Sequence, residues 1–372
     1  MLMSKILPSF IIHLGSGHRV GGHRFFVLSA LVLYYGCGQE LPQEEPGATV
    51  IDTGISVRDS AGVLITETPE ALATGPLPWG IDSVPALAVG SEESEEETLF
   101  GVRGLRERPG GGVLVVDAGS RELRFFDSSA NLTHRVGRKG EGPGEFDNPY
   151  LLQSFHQDTL FFWDGALKRF QVFTGSGEFV RTIRLTGRLP SGSRPPWGLV
   201  GSHFLVRDVE MTHDRYRRLG SITDPIHLFW QDLYSGLVVP IASFRQEISY
   251  GVEMAGGRPG GPTRVPFTIG PVGTVSSFSA LINDGVSPEI REYDTKGKLR
   301  RIFRVPGFRR PVDGDVEEGM INYWMWRNGW SRSDAEWMLN EIPSPDTLPA
   351  FQSLQVDETG WVWAELYHWD RT

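Results

Sequence analysis

Landmarks that recur at one spacing, with short strand-like runs set between turn residues, predict an all-β fold of the β-propeller type. Asp117 recurs as Asp164 and Phe126 as Phe173, each 47 residues later. A period in the forties with strands rather than helices inside it is the length of one propeller blade. Between the two copies lies a glycine-rich turn, Gly140-Glu141-Gly142-Pro143-Gly144-Glu145-Phe146. Architecture is therefore legible here, and chemistry much less so.

The first copy runs through residues 112–117, 121–127 and 132–136, the second through 159–164, 169–173 and 178–183. Each run is rich in β-branched and aromatic residues and is bounded by Gly, Asp or Ser, the pattern of successive antiparallel strands. Asp117 and Asp164 close an apolar run, where a side chain that bonds the following backbone favours a turn. Gly119 and Gly177 are expected to supply positive φ. Weaker copies follow at 202–208, with outer strands at 226–232 and 237–239, and at 289–303 around a turn at Gly297. Residues 354–363 have the form of an inner hairpin, which makes about five units. Residues 62–66 are expected to complete the blade of that last hairpin, and the final blade is expected to be incomplete at the C-terminus.

The segment from Val116-Asp117-Ala118-Gly119-Ser120-Arg121 to the Gly-Pro-Gly-Glu-Phe turn resembles the NHL-type six-bladed β-propellers. More narrowly it is similar to the bacterial six-bladed propeller lipoproteins of unassigned function. The likeness covers roughly residues 97–190 well and 280–365 loosely. It implies six blades, a ligand site at a channel mouth and attachment to the cell envelope.

Composition narrows the function classes. With 40% hydrophobic residues the chain of 372 can fill a core, and 45 Gly with 25 Pro suit a turn-dense β protein. Its 36 basic and 46 acidic residues give a net charge of −10. A nucleic-acid groove needs a basic face, so no nucleic-acid partner is expected, although some NHL propellers bind RNA. The acidic run at 92–97 reads as a solvated loop.

At the N-terminus, Arg19 and Arg24 precede an apolar stretch at 25–35, the length of a signal-peptide core and short for a bilayer span. Gly36 and Cys37, the single cysteine, follow directly. A small residue and then Cys at the end of such a signal resembles the lipobox of bacterial lipoproteins. It implies cleavage before Cys37, lipidation of that residue and, with Gly38 rather than Asp next, an outer-membrane destination. Tyr34 departs from the pattern, which has an aliphatic residue three places before the cysteine. An ordinary signal with an incidental cysteine is the plainer alternative. The organisation expected is a signal over 1–37, a flexible tether over 38–56 rich in Gly, Pro, Gln and Glu, and a propeller over 57–372.

One segment, 313–341, breaks the β rhythm. Met320, Ile321, Trp324 and Met325 recur at helical spacing, and Ser333 to Glu336 fits a capping box opening a second helix. Pro343 and Pro345 stop it. A Trp-rich helical pair can cap a channel mouth or offer a partner surface. The plainer expectation is that Trp324, Trp326, Trp330 and Trp337 pack the insert onto the propeller.

Catalytic signatures are missing from the chain: it has no Gly-x-Ser-x-Gly, no His-Glu-x-x-His, no cysteine pair and no phosphate loop. The histidines beyond the signal are His134, His156, His203, His213, His227 and His368, without ligand spacing. His156 and His203 lie near inner strands of successive units and are the first candidates for a channel metal, with half-buried structural histidines as the plainer reading. Asn131-Leu132-Thr133 matches a glycosylation sequon but reads as a turn. The sequence thus predicts an envelope-anchored binding or scaffold module with an unknown protein or small-molecule ligand and no cofactor. The alternative is a channel-centred metal-dependent hydrolase or lyase, like the sugar-lactone and amidating-lyase propellers.

Overall fold

The computed structural model describes residues 9–13, 54–73, 84–90, 97–152, 158–185, 196–210, 215–254, 258–357 and 359–368. β1 (Ser9–His13), β2 (Ser56–Ser60), β3 (Val63–Glu67) and a short α1 (Glu70–Ala73) precede the first full sheet. That sheet holds β4 (Val102–Glu107), β5 (Val113–Asp117), β6 (Glu122–Phe126) and β7 (Leu132–Val136). The second holds β8 (Pro149–Leu151), β9 (Thr159–Asp164), β10 (Arg169–Thr174) and β11 (Phe179–Arg184). Five strands make the third: β12 (Leu199–Val200), β13 (His203–Val209), β14 (Gly220–Asp232), β15 (Val238–Met254) and β16 (Arg258–Arg264). The fourth is β17 (Val272–Val275), β18 (Ser279–Asn283), β19 (Glu289–Asp294) and β20 (Leu299–Arg304). Helices α2 (Gly314–Asn328) and α3 (Arg332–Glu341) follow, then β21 (Phe351–Val356) and β22 (Trp361–Leu366) of the fifth.

From β4 onward the strands of each sheet form an antiparallel meander in which sequence neighbours are spatial neighbours. The way they bury their faces makes them a propeller. On β9, Leu160 and Phe162 pack with Leu114, Val116 and Phe125 of the first sheet. The alternating partners Phe161 and Trp163 pack with Leu199, Phe204 and Val206 of the third. β13 repeats the division, giving Leu205 to a cluster with Val275, Ala280 and Ile282 of the fourth. From β18, Leu281 then faces Phe351, Leu354, Val362 and Ala364 of the fifth. A sandwich has one core between two sheets, whereas here four clusters join five sheets in chain order. Burial on both faces explains why β5 and β9 are near-continuous apolar runs rather than alternating ones. Each fully buried Phe or Leu contributes about 1.5–3 kcal/mol, so the clusters hold the sheets face to face.

The fifth sheet is completed by β1, antiparallel to β22 with Ser9 opposite Glu365 and His13 opposite Trp361. The β2–β3 hairpin goes elsewhere. β3 lies parallel on β20, Leu64 opposite Arg301 and Glu67 opposite Arg304, so residues 62–66 do not pair with the C-terminal hairpin. An ion-pair cluster spans this junction: Arg304 donates from Nε to Glu67 at 2.9 Å and stands 3.6 Å from Glu289. The stretch 25–35, Cys37 and the tether as far as residue 53 lie outside the described residues.

The helical insert falls where its spacing predicts. Asp313 caps α2, accepting from Val316 N at 3.0 Å, and Gly329 ends it in the left-handed region. Ser331, not Ser333, caps α3, accepting from Asp334 N at 3.1 Å. Ser333 lies inside the first turn, because the three-residue spacing to an acidic partner is met two residues earlier. Met320 packs with Phe267, Leu348 and Tyr367, and α3 sets Ile342 and Met338 against Val252 and Val265. Trp324 packs in the same cluster as Met320 and meets Trp330 at 5.5 Å between ring centroids. Trp326 is 78% and Trp337 46% exposed, so only half of the tryptophans serve the packing role expected of all four.

Candidate functional site: the loop face of the sheets

In each meander the first strand begins on the face where the fourth ends. Turns joining second to third strands therefore share one face with the connections between sheets. That face gathers the turns after Asp117, Asp164 and Asn283, the glycine-rich connection 137–148 and the insert.

Three of its buried polar residues, in the first, second and fourth sheets, form a repeated device. Asp117 is fully buried at the end of β5 and accepts from Phe100 N at 3.2 Å, Gly119 N at 3.1 Å and Ser120 Oγ at 3.1 Å. Arg124, also buried, lies 3.3 Å from its carboxylate. Asp164 is likewise fully buried at the end of β9 and accepts from Asp147 N at 2.9 Å, Asn148 N at 3.2 Å and Leu167 N at 3.2 Å. In the fourth sheet Asn283 takes the position, accepting from Gly285 N at 2.8 Å and donating to Ser287 O and Glu289 O. The fifth breaks the series. Its bond from Tyr367 N to Ala350 O matches those from Ala118 N to Gly101 O and Gly165 N to Asn148 O, which puts Leu366 in the aspartate's place. Each polar member ties the second-to-third turn, and the two aspartates also tie the strand entering the sheet. Buried amides left without acceptors would cost about 1–3 kcal/mol each.

The two glycines singled out in the sequence work differently from each other. Gly177 has φ +93° as expected, and a Cβ there would stand 2.6 Å from the Phe125 ring of the first sheet. Gly119 is not left-handed; Arg121 takes that conformation, with φ 62°. At Gly119 the constraint is closeness, since a Cβ would lie 2.4 Å from that of Phe100.

The glycine-rich turn is a clasp between sheets. Phe146 is fully buried beside Phe162 and Phe173, with ring centroids 5.9 and 5.7 Å away. Arg169 of β10, itself buried, donates to the carbonyls of Glu141, Gly142 and Glu145. Gln171 accepts from Gly144 N at 2.8 Å and donates to Glu145 O. The Glu145 carboxylate turns back onto Gly142 N at 2.8 Å, and that amide, with Arg138, holds it below the usual carboxylate range. A loop so arranged accepts its own chain rather than a phosphate.

The described histidines do not converge. His203 opens β13 opposite Asp232, at the end of that strand away from the loop face, while His156 and His213 lie outside the described residues. His134 stacks on Phe125 at 4.2 Å. His227 lies between Ser243 Oγ, 2.9 Å from Nδ1, and Glu210, 3.3 Å from Nε2. That order of hydroxyl, imidazole and carboxylate can relay a proton. With Glu210 64% exposed, however, that contact is screened by water and weak. Among the described residues no group of three or more His, Cys, Asp or Glu is placed to hold a metal ion. Asp232 is held far below the carboxylate range by the Ser202 hydroxyl and the Ser235 amide, which serve a turn. Burial pushes the Tyr367 hydroxyl up, against the pull of Arg264 and Arg310.

Arg169, Gln171 and Asn283 went unread in the sequence. Arg169 and Gln171 do stand at alternate positions of a strand otherwise apolar, a pattern that marks buried polar residues with assigned partners.

No family model and no curated protein matches the chain. Among solved structures it is similar to a protein described as exported from Bacteroides fragilis, at 14% identity over 72% of this chain and 65% of that one, TM-score 0.40. A member of the DUF4221 family from Bacteroides vulgatus is 15% identical over 70% and 68%, TM-score 0.39. Virginiamycin B lyase from Staphylococcus aureus is 13% identical over 56% of each chain, TM-score 0.27. The chain thus spans just under two thirds of the first of these and slightly more of the second.

Proposed function

We propose that the chain is an exported β-propeller that acts as a binding or scaffold module at the cell envelope, tethered through a lipidated Cys37 at the outer membrane. One observation supports this most: Asp117, Asp164, Arg169 and Gln171, buried at the loop face, are committed to the chain's own groups. Asp117 and Asp164 accept from backbone amides, Arg169 donates to carbonyls of the glycine-rich turn, and Gln171 both accepts from and donates to that turn. General acid–base work needs a carboxylate or imidazole with a free position toward substrate. What the face offers to a partner is apolar and exposed: Trp326 and Trp337 on the insert, and Tyr216 beside the long β14–β15 hairpin. Binding hot spots are enriched in such rings.

Metal content measured on the purified exported chain after dialysis tests the choice. Less than about a tenth of an equivalent of calcium or zinc is expected. A stoichiometric ion, accompanied by lactone hydrolysis or lyase activity, favours the channel-centred enzyme instead. Intact mass tests the anchor: a mature chain beginning at Cys37 with added acyl mass is expected, and one beginning earlier removes the tether.

A further inference from the structure

Most outer edges of these sheets carry features that discourage further pairing. β7 has His134 and Arg135, β11 has Arg181 and Arg184, and both meet their neighbours through a break in register. β16 contains Pro259 and Pro262, and β2 carries Arg58 and Asp59. Charges, prolines and bulges are how natural sheets blunt an edge. β22 carries little of this: one charge, Glu365, which accepts from Ser353 Oγ at 2.8 Å, and a break in register that lies on its β21 side rather than on its outer edge. It reads Trp-Val-Trp-Ala-Glu-Leu, without proline or basic residue. Val362, Ala364 and Leu366 are buried in the cluster shared with the fourth sheet, which holds the strand in place from one side.

A strand already sits on that edge. β1, Ser9-Phe10-Ile11-Ile12-His13, pairs with β22 over five unbroken antiparallel positions. It ends its sheet, and among the described residues β22 is its strand partner. From this geometry we propose that the outer edge of β22 is an acceptor for an extended apolar segment. Ser9–His13 fills it within the chain, and a proline-free strand of another polypeptide, rich in Ile, Phe and Val, fills it when that segment is gone. Main-chain bonds give such strand addition its affinity, and alternate side chains its selectivity. Loss of the segment rests on the proposed removal of residues 1–37; the acceptor itself does not.

Two changes in the full chain, Phe10→Pro and Ile12→Pro, take amides from the ladder and vacate the edge. A fluorescent peptide of residues 9–15 is then titrated against this variant and the unmodified chain, followed by anisotropy. An occupied edge lowers apparent affinity by the fraction of chains that are open, so the variant should bind at least about tenfold more tightly. Hydrogen exchange should slow at residues 361–365 on peptide addition. Deleting residues 1–37 provides a second vacated form, should the proline variant fail to fold. Equal affinity for vacated and unmodified chains, or for a scrambled peptide, overturns the proposal. Intact mass of the exported chain reports separately on the leader: a retained segment 9–13 would refute its removal and leave the acceptor standing.

Discussion

Asp117 and Asp164 hold equivalent places in successive sheets. Each is the fully buried last residue of a second strand, and each accepts amides from the segment entering its sheet, Phe100 N in one case and Asp147 N in the other. The repeat seen in the sequence is thus a repeated fastening of sheet to connection. Asp164→Ala would orphan three amides and is expected to lower stability by about 2–4 kcal/mol. Asp164→Asn keeps an acceptor oxygen and should cost less. Urea midpoints at unchanged slope measure both.

The clasp from Gly140 to Phe146 makes a second prediction. Phe146→Ala opens a cavity between the first two sheets and should cost about 3–5 kcal/mol. Arg169→Met should leave the sheets intact but free the carbonyls of Glu141, Gly142 and Glu145. Limited proteolysis is then expected to cut within residues 139–145 of that variant and not of the unmodified chain.

The insert separates two kinds of tryptophan. Trp324 packs with Met320 and Phe267, and its change to Ala should cost about 2–4 kcal/mol. Trp326, 78% exposed, should cost no more than about 0.5 kcal/mol. If Trp326 belongs to a partner surface, Trp326→Ala weakens binding while the thermal midpoint holds.

Acid should weaken the fold. The Ser202 hydroxyl and Ser235 amide depress Asp232, and the amide and side chain of Asn131 depress Asp127. For a carboxyl lowered on folding, the unfolded chain binds protons first as pH falls. The stability these groups contribute is therefore complete above about pH 4 and is lost as pH drops through their folded values. Urea midpoints are expected to decline below about pH 4, with a shallower decline in Asp232→Asn. A midpoint unchanged from pH 7 to pH 3 would count against these turns.

Much of the fold was legible because the units are local. Strand, turn and strand lie together in sequence, so 112–136 and 159–183 announced themselves by β-branched and aromatic runs, and α2 and α3 by helical spacing. The extension of β14 and β15 was readable too, since Phe244, Ile248, Tyr250 and Val252 recur at even positions and are part-buried or buried. What the sequence hid was non-local. Nothing in residues 62–66 distinguishes β20 from β22 as a partner; the pairing that forms brings Glu67 to Arg304, 237 residues away. Likewise Asp117 gave a turn signal, but its bond to Phe100 goes to a backbone amide, which no side chain marks. Cys37, the lipidation residue that the signal-like N-terminus points to, lies outside the described residues.

Double-mutant cycles along β9 and β10 test the radial arrangement of the sheets most directly. Phe162 meets Phe146 toward the first sheet at 5.9 Å, while Phe170 meets Phe204 of the third at 5.1 Å. Coupling energies of about 0.5–1.5 kcal/mol are expected within each of those pairs. Phe162 and Phe204, on opposite faces of the second sheet, should be additive within about 0.5 kcal/mol. Coupling of Phe162 to Phe204 as strong as that within the facing pairs would place them in one shared core and contradict the propeller.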